Sequence, residues 1–154
     1  FIKWPARFDS GKRYNNLVST LDVFPTMVEA AGGTSSGNDH YTGVSLIPFL
    51  TNKTDKIPHE TMHWRYTVGA AIRDNDWKLI RLPDRLPMLY HLSADISELQ
   101  DVSLDYPDRT KSMLKKLSNW EVRLPHSLFQ EPQNWRIRHL GYYDAPSHII
   151  QPHN

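Results

Sequence analysis

The sequence predicts an α/β chain in two parts: the end of a larger sheet domain, then a small α+β subdomain whose antiparallel sheet is packed by a helix. Three observations carry this. Phe1-Ile2-Lys3-Trp4 stops at Pro5, as a buried strand running into a proline would. From Glu60 onward the apolar period becomes two, with Met62, Trp64 and Tyr66 alternating with His63, Arg65 and Thr67. Later, Met113, Leu117, Trp120 and Leu124 recur at helical spacing.

Residues 1–57 are read as the end of the larger domain. A strand that opens at Phe1 with no lead-in is expected to belong to a sheet begun by upstream polypeptide. Asp9-Ser10-Gly11-Lys12 supplies turn chemistry. A helix is expected over Leu17–Ala31, capped by Ser19 or Asp22, tolerating Pro25 in its first turn and stopped by Gly32-Gly33. Its buried face would be Leu21, Phe24, Val28 and Ala31. Thr34–His40 is a polar loop, Val44–Leu50 an apolar segment interrupted by Pro48, and Asn52–Lys56 a linker ending at Pro58.

Residues 58–125 form the small subdomain. After the alternating strand, Val68–Ile72 and Trp77–Leu82 are strands joined by the turn formers Arg73-Asp74-Asn75-Asp76, and Leu89–Leu92 is another. A helix then begins at Pro107 with Asp105 as its cap. Residues 126–154, with Trp135, Tyr142, Tyr143 and several prolines, show no clear period and are read as an irregular tail that packs by its aromatic rings.

Composition excludes several function classes. With 18 basic and 17 acidic residues spread along 154, there is no basic stripe for a nucleic acid. No apolar run approaches the roughly 20 residues that span a bilayer, so no membrane partner is expected. The lack of cysteine removes disulfides, thiolate metal sites and cysteine nucleophiles. Asn52-Lys53-Thr54 fits a glycosylation sequon, a pattern short enough to arise by chance.

No Gly-x-Ser-x-Gly elbow presents a serine, and the eight histidines lack paired spacing on one helix, so no catalytic residue and no metal ligand is assigned. Asp74 and Asp76 lack the glycine and distant glutamate of a calcium loop. The cluster to single out is His63-Trp64-Arg65. On a strand, His63 and Arg65 share a face and would bind an anionic sugar substituent through charge-assisted bonds, although a polar solvent face opposite buried Trp64 has the same pattern. Arg136, Arg138 and His139 in the tail invite the same two readings.

Several segments, in order, resemble one family. Phe1-Ile2-Lys3-Trp4-Pro5, Ser19-Thr20-Leu21-Asp22-Val23-Phe24-Pro25-Thr26 and Ala30-Ala31-Gly32 resemble the late catalytic domain of type I sulfatases, in the alkaline phosphatase superfamily. Thr42-Gly43-Val44-Ser45-Leu46-Ile47-Pro48-Phe49-Leu50 is similar to that family's G-x-S-L-x-P-x-L segment. Ala71–Ile80 is similar to its R-x-g-x-W-K-L-I hairpin, and Leu89-Tyr90-His91-Leu92 with Asp95 and Glu98 to its L-Y-D-L-x-x-D-x-x-E segment. The chain departs from the pattern at His91 and over its last thirty or so residues.

The resemblance implies the end of an alkaline phosphatase-like mixed-sheet domain followed by the small subdomain already inferred. It implies a parent that hydrolyses sulfate esters, of a sulfated carbohydrate or an aryl sulfate, with a formylglycine nucleophile and a calcium ion. Both belong upstream of Phe1 in the family, so this chain is expected to bind neither and to be non-catalytic alone, with the missing N-terminal part as its partner. It also implies a periplasmic or secreted parent, and it places the small subdomain at the mouth of the cleft, where His63 and Arg65 would meet the leaving group. A phosphate or phosphonate ester hydrolase of the same superfamily and a stand-alone glycan-binding module are the other readings.

Overall fold

Ser19 opens the first helical element. Its hydroxyl accepts from the Leu21 N–H while Asp22 reaches back to the Ser19 N–H, a capping box that starts a 3₁₀ turn, Thr20–Asp22. This leads into α1, Val23–Ala30, with Pro25 in the first turn, where no intrahelical N–H bond is lost. The glycine stop is a Schellman motif: Gly33 N–H donates to Val28 O at 2.9 Å, Gly32 N–H donates to Glu29 O at 3.0 Å, and Gly32 takes φ +81°. A second short helix, α2, spans Ile47–Leu50, and Pro48 helps open it instead of interrupting the segment.

The structure is a computed structural model describing residues 1–34, 42–66, 69–126, 128 and 132–144. It divides into two units, Phe1–Glu60 and Thr61–Asn154. The loop expected at Thr34–His40 lies largely outside the described residues, as does Val68.

In the first unit Phe1–Pro5 pairs with no strand among the described residues, and Phe1 and Ile2 are exposed. A strand needs ladder partners for its backbone groups, and those expected for Phe1–Pro5 belong to upstream polypeptide. One expectation is corrected. The expected helix is shorter, and its inward side is not the apolar stripe: Leu21 and Phe24 are exposed, while Asp22, Pro25 and Thr26 are buried. Polar ties to the Val44–Ile47 segment, described below, turn that side inward.

The second unit holds an antiparallel meander of four strands in sequential order: β1 Thr61–Tyr66, β2 Gly69–Asp74, β3 Trp77–Arg81 and β4 Met88–His91. Asn75 turns the β2–β3 hairpin with φ 54°, a left-handed conformation that asparagine tolerates. His63, Ile72, Leu79 and Leu89 are successive cross-strand partners and share one face, which α3, Pro107–Glu121, covers with Met113 and Leu117. Tyr106, without a side-chain cap bond, takes the cap position expected of Asp105. On the opposite face Ile80, Leu82, Tyr90 and Leu92 form a second cluster, joined by Tyr66, Met88 and Leu140.

Leu140 belongs to a further helix, α4, Gln133–Asp144, where an irregular tail was expected. No residue of α4 is buried and its apolar residues do not form one stripe, so it carries no periodic signal; Pro132 begins it by accepting from the N–H groups of Trp135 and Arg136. Its end is fixed to the sheet side by Arg85, which donates twice to Asp144 at 2.8 and 2.5 Å.

Candidate functional site

His63 and Arg65 do share a face, as the alternation requires, but it is the helix-covered face. The His63 ring stacks on Trp120 of α3, with centroids 4.9 Å apart and planes 18° from parallel. Burial pushes its imidazole below the ordinary value, Arg123 and Lys116 push the same way, and Asp74 opposes them. Arg65 Nη2 donates to Pro125 O at 2.8 Å, just beyond the end of α3. Trp64, expected to be buried, is 44% exposed on the opposite face. In the tail, Arg136 and Arg138 are exposed while His139 is half-buried among Tyr66, Trp135 and Tyr142, so these three do not converge.

That opposite face carries a groove of about 430 Å³. Trp64 and Tyr66 from β1, Arg73 from β2, Lys78 from β3 and Tyr143 from α4 line it, with Glu98 beside Lys78. Lys78 Nζ donates to both Glu98 oxygens at 2.6 and 2.7 Å, which neutralises that lysine. Arg73 donates to Asn75 O from Nε, and among the described residues the outer end of its guanidinium takes no other hydrogen-bond partner. The alternation signal contained Trp64, but Arg73 was expected in the hairpin turn and lies in β2 instead, and nothing in the sequence places Tyr143 beside them, since that depends on α4.

In the first unit the polar centre is Asp22, 0% exposed. One oxygen accepts from Ser19 N–H at 2.7 Å and the other from Val44 N–H at 2.9 Å. His59, 14% exposed at its side chain, donates from Nε2 to the same carboxylate at 2.8 Å. Thr26 Oγ1 donates to Asp22 O and accepts from Leu46 N–H. Gly43 lies so close to α1's entry that a Cβ there would stand 2.0 Å from Leu21 O; close backbone approach, not a loop bend, is what excludes a side chain. The chemistry of this set is that of a fastener, with every donor aimed at a protein acceptor. Among the described residues no three His, Asp or Glu side chains gather as a metal-holding group.

Comparison with known proteins decides what these segments belong to. The family model for the C-terminal part of N-sulphoglucosamine sulphohydrolase matches residues 1–123. The chain belongs to the sulfatase family, as a C-terminal portion. Human arylsulfatase K is 32% identical over 140 residues, covering 80% of this chain and 24% of that protein. The chain thus spans about a quarter of the length of such curated relatives. Among solved structures, Ps i-CgsB, also determined in complex with k-i-k-neocarrahexaose, superposes with a TM-score of 0.69 at 25% identity over 96% of this chain and 34% of its own. The phosphonate monoester hydrolase of Agrobacterium radiobacter shares the fold, with a TM-score of 0.59 at 23% identity over 74% of this chain and 27% of its own.

Within this sulfatase portion, the family-like segments acquire a physical reason. Ser19–Thr26 and Gly43–Leu46 are bolted together through Asp22, Thr26 and bare Gly43. Lys78 of the hairpin pairs with Glu98 of the next segment, and Asp95 accepts from the N–H groups of Leu99 and Gln100 to shape the turn between them and the helix.

Proposed function

We propose that the parent of this chain hydrolyses sulfate esters on a carbohydrate and that this portion supports the catalytic part without doing chemistry alone. The match of residues 1–123 to the sulfatase C-terminal family carries the reading. The likeness to Ps i-CgsB, whose complex holds a neocarrahexaose, supports a glycan substrate. By the same family reasoning a formylglycine and a calcium ion, both in the preceding part of the parent, supply the nucleophile and offset charge on the sulfate. The exposed apolar side chains of Leu21, Val23, Phe24 and Met27 would pack against that preceding part, and the parent would work in the periplasm or outside the cell.

The test is to express the full-length protein and measure, side by side, sulfate released from a sulfated oligosaccharide and hydrolysis of a phosphonate monoester. Preferential sulfate release is expected. Preferential phosphonate hydrolysis would instead establish the second reading, which the shared fold with the phosphonate monoester hydrolase favours. Retention of the oligosaccharide with turnover of neither substrate would establish a binding module.

For His63 and Arg65, contact with the leaving sugar is a separate proposal, set against the fastening role that Trp120 and the Pro125 carbonyl support. Substrate contact requires His63→Ala and Arg65→Ala to impair the natural glycan more than a small aryl sulfate. Equal impairment of both substrates assigns the pair to packing.

A further inference from the structure

We propose that the open face of the second unit's sheet binds a sulfated pyranose unit of a glycan, stacked on Trp64 and held through its sulfate by Arg73. The kind of glycan rests on the sulfate-ester reading above; the site rests on the groove itself. Trp64 is paired across the strands with Ala71, whose single methyl leaves a hollow beside the half-exposed indole. The axial C–H groups of a sugar ring pack on such an aromatic surface.

Charge then selects the substituent. Of the two cations in the groove, Lys78 is neutralised by Glu98, whereas Arg73 spends only Nε on Asn75 O. Among the described residues one uncompensated guanidinium fork is left in the groove, and it matches the geometry of one sulfate group by paired N–H···O bonds. Tyr143 forms the facing wall, carried by a helix outside the matched family region and held by the neighbouring Asp144–Arg85 pair. The floor is thus built from family-like strands and the wall from the part of the chain that departs from the family pattern, an arrangement suited to discriminating between glycans.

The test uses the full-length protein and stopped-flow anisotropy of a fluorescently tagged sulfated hexasaccharide, read before turnover, with its desulfated counterpart alongside. The parent is expected to prefer the sulfated form by about tenfold, and Trp64→Ala and Arg73→Ala each to weaken its binding by about tenfold, the scale of one charge-assisted contact or one aromatic platform. Unfolding midpoints are measured for both; Arg73→Lys, which keeps the charge but loses the fork, replaces a variant that does not fold and should bind severalfold more weakly. Parent-like affinity in the folded variants, or a parent that binds both hexasaccharides alike or neither, overturns the site. Sulfate release by the parent is assayed separately, so that binding lost in the variants without any turnover by the parent would uphold the site while removing the hydrolase reading.

Discussion

At the residue scale, the first unit depends on a few polar and steric ties. Asp22 has no contact with solvent and receives the N–H groups of Ser19 and Val44 together with His59 Nε2. Replacing it by Ala strands those donors, and urea denaturation should show a loss of roughly 3 kcal/mol. Gly43→Ala should cost a similar amount, roughly 3 kcal/mol, because backbone carbonyl, not a movable side chain, fills the space. A midpoint unchanged by either substitution would mean that the Asp22 and Gly43 contacts do not hold this unit together. His63 adds a pH dependence. The fold holds its ring more neutral than the unfolded chain does, so its contribution is complete above the ordinary value of 6.5 and is lost as pH falls through the lower folded value. Acid titration of stability should therefore steepen as pH falls below 6.5 and level off once it passes the lower folded value, and do so less in His63→Leu than in the unsubstituted protein; identical slopes would contradict the burial of this ring.

At the element scale, the sequence was most legible where one period ran through a segment with one buried side. The alternating β1, the β2–β3 hairpin and α3 all emerged, because Ile72, Leu79, Leu89, Met113 and Leu117 meet in one core. Legibility failed where polar bonds or remote contacts decide. The apolar spacing of Leu21, Phe24 and Val28 did not mark the side of this helical segment that meets Val44 and Leu46, since Asp22 and Thr26 hold that side by hydrogen bonds that spacing does not report. The same limit put Trp64 inside and His63 and Arg65 outside: alternation defines two faces but not which one a helix covers. α4 carries no periodic signal because none of its residues is fully buried and only His139 and Leu140 are partly so, and Arg85–Asp144 is its clearest charged tie to the rest of the unit. Arg85→Ala should then speed amide exchange across Gln133–Asp144 while leaving β2 and β3 unchanged; uniform exchange across all of them would contradict a locally tethered helix.

At the scale of the whole molecule, both units read as support. The first offers a bolted turn and helix with exposed apolar side chains, the second a sheet with one face closed by α3 and the other open as a groove. Family order was legible in the sequence because its segments carry bonds that need particular side chains, as at Asp22, Gly43, Lys78 and Glu98. The groove was not legible, because its residues come from strands and a helix far apart in the chain. The most direct measurement is sulfate release from a sulfated oligosaccharide by the full-length parent and by the isolated 154-residue chain, each free of contaminating sulfatase. Release by the parent and none by the isolated chain is the predicted result. Sulfate released by the isolated chain would contradict a supporting role.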